Sequence, residues 1–297
     1  MQKIISFLLF ATISTALFGQ THYEKFKKLF KNNDTTTIQR LLTDWEKSTP
    51  NDPELYTSAF NFYFSNSKKE ILSIEKVQPK KESFQITDSS GAVAGYFSSN
   101  MDYNPYKLAK AFGYADKGIE IFPNRLDIRF GKCYVFGEIG DYHNFTAEII
   151  KTVEYGAVIK NNWLWTENKK VEDADNFMTD ALQAYLKQLY DTEDDQLLEN
   201  MKQIGDVVLK YYPNNIEILS TTAVANLLTG NYDKAIGFLK QAEKLNPKDF
   251  IVLNNIAHGY KLKGDKANAV KYYELVKIHG DEQAKKQARD EIKKLSN

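Results

Sequence analysis

The chain has 297 residues, of which 42% are hydrophobic and 26% are charged, so it can bury a sizeable core and is not of the disordered class. Its 39 Lys and Arg residues balance 39 Asp and Glu residues, and this zero net charge argues against nucleic acid as a partner, because nucleic-acid binders carry a basic surface. A single cysteine and four histidines rule out an internal disulfide and offer few ligands for a metal centre, so we expect no metal and no cofactor.

Residues 1–19 have the pattern of a signal peptide. Lys3 gives a positively charged start, residues 4–18 form an uncharged apolar run, and Gly19 supplies a small residue for cleavage. The run is shorter than the roughly 20 apolar residues that cross a bilayer, so we favour cleavage over a retained anchor and expect no membrane span afterwards. This predicts a periplasmic or secreted protein of a Gram-negative bacterium.

Residues 20–65 have apolar side chains at helical spacing and predict N-terminal helices. Residues 66–104 differ, because apolar and polar residues alternate there, with Leu72 and Ile74 as one example. Turn signals stand at 78–81 and 88–91. A period of two is typical of strands, so we predict a three-stranded β-meander inserted inside a helical hairpin.

Residues 105–156 return to helical spacing. Within them, 126–156 predicts one complete hairpin, with Gly140 in its turn and Cys133 at a packing position of its first helix. Residues 157–172 interrupt the helical pattern and predict a loop insertion that contains Trp163 and Trp165.

Residues 173–280 contain a repeat with a period of 34 residues. Each of the last two copies has a helix, a glycine-containing turn and a second helix, whereas 173–213 is degenerate and has no glycine in its turn. Residues 281–297 place four apolar side chains on one helical face and predict a C-terminal cap helix. The pairs in register are Leu219 with Leu253, Ala223 with Ala257, Gly230 with Gly264, Ala235 with Ala269, Leu239 with Tyr273 and Ala242 with Val276, and the cap residues are Ala284, Ala288, Ile292 and Leu295.

These copies resemble the tetratricopeptide repeat family. Small Ala223 and Ala257 stand at the eighth position, Gly230 and Gly264 in the turn, and Pro247 closes a copy. The resemblance implies an all-α solenoid of about six helical hairpins, some of them degenerate, which carries the small β insertion and the cap helix. It also implies a non-enzymatic scaffold that binds another protein or a peptide.

In this family, defined positions of each first helix line a concave groove, which carries the binding residues. The chain lacks the Lys-then-Asn pair by which chaperone-type members hold a terminal carboxylate, so cytosolic chaperone tails are not implied. The candidate groove residues are Phe130, Tyr134, Glu138, Ser220, Val224, Leu227, Asn254, His258 and Lys261.

Catalytic chemistry has little support in the sequence. Neither a phosphate-binding, a dinucleotide-binding nor a metalloprotease motif occurs, and we assign no catalytic residue. Cys133 is interpreted as a packing residue, and His258 as a binding contact. Three alternatives stay open: Trp163 and Trp165 could form an exposed platform for a glycan, the β segment could bind the partner in place of the groove, or the chain could be an enzyme of an unrecognised type.

Overall fold

The computed structural model describes residues 20–79 and 82–296, so the predicted signal peptide lies outside the described part of the chain. Twelve α-helices in this part form six successive hairpins, and a thirteenth helix follows them. The predicted all-α solenoid of tetratricopeptide-like hairpins is confirmed. The hairpins are α1 (His22–Lys31) with α2 (Thr35–Ser48), α3 (Pro53–Ser67) with α4 (Pro105–Ile121), α5 (Leu126–Glu138) with α6 (Tyr142–Val158), α7 (Ala174–Asp191) with α8 (Leu198–Tyr211), α9 (Ile216–Leu228) with α10 (Tyr232–Leu245) and α11 (Phe250–Lys263) with α12 (Lys266–His279), and α13 spans Glu282–Ser296.

The turn inside most hairpins depends on a left-handed residue. Gly140, Gly230 and Gly264 have φ values of 71°, 80° and 84°, a region that glycine enters without steric cost. In the first and fourth hairpins, Asn33 and Glu193 take this conformation, with φ values of 55° and 56°. The degenerate repeats therefore keep the turn geometry without its glycine.

Small side chains allow the two helices of a hairpin to approach closely. Ala223 and Ala257 on first helices, and Ala235 and Ala269 on second helices, are fully buried, as the 34-residue register predicts. Cys133 stands at the equivalent place in the third hairpin and is also fully buried. Its interpretation as a packing residue is confirmed.

Within the described residues, the core consists of three apolar clusters that follow one another along the chain. The first joins α1 to α5 around Trp45, the second joins α5 to α9 around Leu186, and the third joins α9 to α13 around Leu253. Each hairpin thus buries its apolar face mainly on its neighbours, as a stacked array requires. In α13, Ala288 is fully buried against the third cluster, and Ala284, Ile292 and Leu295 are partly buried there.

The inserted sheet has the three predicted strands, which pair antiparallel: β1 (Lys68–Glu75), β2 (Ser83–Thr87) and β3 (Val93–Tyr103). Their order is β1-β3-β2, so the predicted meander order is wrong. The chain must return to begin α4 beside the end of α3, and it does so by pairing Tyr103 with Lys68. The last strand therefore takes the centre, and β2 joins its other edge.

The second insertion, predicted as a loop, contains a small hairpin of its own. Strands β4 (Leu164–Trp165) and β5 (Lys169–Lys170) pair across a short 3-10 turn over Thr166–Asn168. The backbone N–H of Leu164 also donates a hydrogen bond to the Asn124 carbonyl at 2.9 Å, which holds the insertion against the start of α5. None of the helices between residues 20 and 296 has the length and apolar character needed to cross a membrane.

Candidate functional site

The first helices of the hairpins line one side of the stack, which we call the inner face, and two cavities open on it. The N-terminal cavity has a volume of about 640 Å³ and lies between α1, α3 and α5, with part of the second insertion at one end. The C-terminal cavity has a volume of about 440 Å³ and lies mainly between α7, α9 and α11. Two cavities therefore lie along the predicted groove, one toward each end of the stack.

Aromatic side chains dominate the apolar lining of the N-terminal cavity. Phe26, Phe60 and Phe64 are buried beneath it. Phe30 from α1 and Tyr134 from α5 are exposed, the latter by 51%, and offer ring surface from two different hairpins. A ligand side chain entering the cavity can therefore contact rings from α1 and from α5.

The charged lining of the N-terminal cavity is mostly basic. Lys27 and Lys31 reach it from α1, and Lys68 reaches it from the start of β1. Among the described residues, Asp127 is the one carboxylate in the lining, and it accepts hydrogen bonds from Arg125 Nε at 2.8 Å and Nη2 at 2.7 Å. Arg125 also pairs with Glu54, and Lys68 lies near Glu138, so the positive excess at the cavity is small and comes from the two lysines of α1.

A buried ionic cluster fixes the end wall of this cavity. The fully buried Arg125 contacts Glu54 Oε1 through Nη1 at 2.9 Å. The backbone N–H of Glu167 donates to the same Glu54 oxygen at 2.8 Å, and the Thr166 hydroxyl donates to Asp127 at 3.2 Å. The second insertion is thereby tied to both α3 and α5. This attachment places Trp165 and Thr166 in the lining of the cavity.

The three groove residues predicted on α5 differ in their surroundings. Tyr134 lines the N-terminal cavity, and Glu138 is exposed next to it, with one carboxylate oxygen 3.7 Å from Lys68 Nζ. Phe130 is only 9% exposed because Trp165 and other aromatic side chains cover it. The assignment of Phe130 to the groove surface is wrong, since the second insertion and α7 pack over it.

The three groove residues predicted on α9 also differ in their exposure. Ser220 and Val224 line the C-terminal cavity. Leu227 is 5% exposed and packs against α11, where a Cβ built at Gly259 would lie 3.1 Å from Leu227 Cδ2. Its assignment to the groove surface is wrong, because the next hairpin covers it.

On α11 the predicted residues lie beside the C-terminal cavity without lining it. Asn254 is half-buried, and its neighbour Asn255 lines the cavity. His258 retains an exposed edge, but partial burial of its ring, followed by the nearby Lys261 ammonium, lowers its pKa below the usual value. Lys261 itself forms an ion pair with Glu291 of α13. These three side chains therefore extend the inner face beyond the cavity, toward the cap helix.

The two tryptophans predicted as a glycan platform do not lie exposed side by side. Trp163 is fully buried, and its indole N–H donates to Asn161 Oδ1 at 3.1 Å. Its ring packs on Gly156, where a Cβ would come within 3.2 Å of the indole. Trp165 is half-buried beside Phe130. The platform is therefore wrong for this pair, because the ring of Trp163 anchors the second insertion in the core.

The described residues hold few groups suited to acid–base or metal chemistry. Burial raises the pKa of the Cys133 thiol well above its usual value, which leaves it protonated and unreactive. Within residues 20–79 and 82–296, no group of three or more His, Cys, Asp or Glu side chains is arranged to hold a metal ion.

Sequence reasoning missed the contribution of the first two hairpins to the inner face. Their repeat signature is weak, so groove positions were not assigned on α1 and α3. The signal is nevertheless present as a helical stripe, since lining residues recur at spacings of three and four. The stripe consists of Tyr23, Lys27, Phe30 and Lys31 on α1, and of Thr57, Asn61, Phe64 and Ser65 on α3.

No protein-family model matches the chain, and no curated protein matches its sequence. Similar solved structures include YrrB, described as a TPR protein with an unusual peptide-binding site, at 14% identity and a TM-score of 0.41, covering 84% of this chain and 97% of that one. A tetratricopeptide repeat protein from Parabacteroides merdae matches at 14% identity and a TM-score of 0.36, covering 88% of this chain and 79% of that one.

The C-terminal part of a TPR repeat-containing protein from Cytophaga hutchinsonii matches at 15% identity and a TM-score of 0.37, covering 86% of this chain and 78% of that one. At such scores the assignment of the fold rests on this chain's own hairpins, buried small residues and 34-residue register. By these features the chain is a tetratricopeptide-type helical-repeat protein in its fold.

Proposed function

We propose that the chain is a non-enzymatic scaffold of the cell envelope that binds another protein or a peptide along its inner face. The observation that carries this proposal is the pair of cavities on one side of the stack, lined by the first helices of successive hairpins. A stacked array presents such a face as one extended surface, which suits an extended ligand better than a compact one.

The chemistry of the inner face supports binding over catalysis. Its lining includes exposed aromatic rings, which are enriched at recognition surfaces, and lysines, which can pair with anionic groups of a ligand. Asp127 is held in an ion pair with Arg125, and Cys133 is buried away from the cavities.

Site-specific photocrosslinking tests the inner face directly. A benzophenone side chain is introduced at Tyr134 or Val224 on first helices, and at the exposed Tyr106 or Ile278 on second helices as matched controls. We expect cross-linked adducts in the producing cells from the inner positions and few from the controls. Adducts that arise only from the second helices would contradict the proposal.

The location in the cell envelope rests on the sequence of residues 1–19 and has its own test. We expect the mature chain to begin near Gln20 and to be released with the periplasmic or secreted fraction. N-terminal sequencing of the purified protein measures this, and an intact leader on the mature chain would contradict it.

A further inference from the structure

The two cavities of the inner face differ in charge. The N-terminal cavity carries Lys27, Lys31 and Lys68, and its one described lining carboxylate is paired with a buried arginine. In the C-terminal cavity, Lys187 Nζ lies 2.6 Å from Asp191 Oδ2 on the same helix, and both residues line the cavity. Because the whole chain has no net charge, the positive excess is a local property of the N-terminal cavity.

Lys31 is the most available of these cations. It is exposed and has no ion-pair partner among the described residues, whereas Lys68 lies 3.7 Å from a Glu138 oxygen. Lys27 lies over the ring of Tyr23 at 4.5 Å and interacts with the charge of the Glu167 carboxylate without forming a close ion pair with it. An anionic ligand therefore gains charge partners here without first breaking a short ion pair.

The cavity also offers apolar surface and one unused polar group. Phe30 and Tyr134 expose ring surface from α1 and α5. Ser58, which lines the cavity from α3, is 1% exposed, and its hydroxyl has no hydrogen-bond partner among the described residues. A buried hydroxyl without a partner is costly, and because its oxygen is itself buried, a ligand acceptor reaches it only when neighbouring side chains move.

We infer that the N-terminal cavity binds an acidic peptide segment that carries an aromatic side chain. The ring packs between Phe30 and Tyr134, and the flanking carboxylates pair with Lys27, Lys31 and Lys68. The inference names the ligand class of the inner face and therefore rests on the proposed function. The cavity has a volume of about 640 Å³, which can hold an aromatic side chain together with the flanking peptide.

Fluorescence anisotropy with labelled nine-residue peptides tests the inference. The probes are a Glu peptide with a central Phe, the same peptide with Gln in place of Glu, and the Glu peptide with a central Ala. At low salt we expect the Glu–Phe peptide to bind about tenfold more tightly than either of the others, with an affinity that falls as salt is added.

A charge-matched pair of variants locates the site. Lys27→Glu with Lys31→Glu changes the lining of the cavity, and Lys25→Glu with Lys28→Glu makes the same charge change on exposed residues of α1 outside the lining. We expect the first pair of substitutions to lower the affinity for the Glu–Phe peptide by about tenfold or more. The second pair should lower it by less than about threefold. Thermal melting of both variants by circular dichroism verifies the fold.

Three outcomes would overturn the inference. The Gln–Phe peptide could bind as tightly as the Glu–Phe peptide, both variants could weaken binding equally, or a short single-stranded oligonucleotide could displace the peptide with higher affinity. In each case, inner-face cross-links to a protein would leave the proposed function standing. If the cross-links and the peptide binding are both lost, the inference and the proposed function are both overturned.

Discussion

For individual residues, close approach between hairpins decides which substitutions the stack tolerates. A Cβ built at Gly205 on α8 would lie 2.1 Å from Thr222 Oγ1 on α9, whereas one built at Gly237 on α10 meets no atom within 4 Å. We expect Gly205→Ala to lower the free energy of unfolding by about 1–3 kcal/mol through overpacking. Gly237→Ala should raise it by up to about 1 kcal/mol, because alanine favours the helix.

Urea unfolding followed by circular dichroism measures both glycine variants under the same conditions. Similar effects of the two substitutions would show that the contact between α8 and α9 relaxes freely. That result would contradict the tight packing between the fourth and fifth hairpins.

Among the larger elements, the two insertions differ in how much the stack depends on them. The inserted sheet leaves and rejoins the helices at adjacent points, with Lys68 paired to Tyr103, and it exposes Leu72, Ile74 and Phe84. We expect replacement of residues 69–102 by a short Gly/Ser linker to preserve the helical circular dichroism and to change the free energy of unfolding by less than about 1 kcal/mol.

The matched comparison is Trp163→Ala in the second insertion. Because Trp163 is fully buried, its truncation should cost about 3–5 kcal/mol. Loss of cooperative unfolding on removal of the sheet, or a negligible effect of Trp163→Ala, would reverse the assigned roles of the two insertions.

The molecule as a stacked array needs a cover at its C-terminal end. Ala288 of α13 is fully buried against the last hairpin, and Ile292 and Leu295 are partly buried beside it. We expect truncation after Gly280 to expose this apolar end and cause oligomerisation, with a loss of about 2–4 kcal/mol of stability. Analytical ultracentrifugation measures the first effect and thermal melting the second.

Hydrogen exchange adds an independent measurement, since the last hairpin should lose protection first in the truncated chain. Lys293→Ala in the full-length chain is the control, because this side chain is exposed. A truncated chain that stays monomeric, with an unchanged melting curve, would show that α13 contributes no cover.

Features that depend on local and neighbouring contacts could be predicted from the amino-acid sequence. The 34-residue register located the last hairpins, and the small residues Ala223 and Ala257 are buried as predicted. The alternation in residues 66–104 located the inserted sheet, although not the order of its strands. These features can be predicted because the spacing of apolar residues in the sequence reflects the period of the helix or strand. In addition, each hairpin packs mainly on the next one.

Which side chains on those helices remain accessible could be learned from the folded molecule alone. Phe130 and Leu227 have helical positions typical of a groove. Yet the second insertion and α7 cover Phe130, and the next hairpin covers Leu227. The N-terminal cavity combines α1 with α5, and its end wall depends on a hydrogen bond between Glu54 and Glu167, which lie 113 residues apart. Helical spacing determines the face on which a residue lies, but burial depends on what distant segments place over that face.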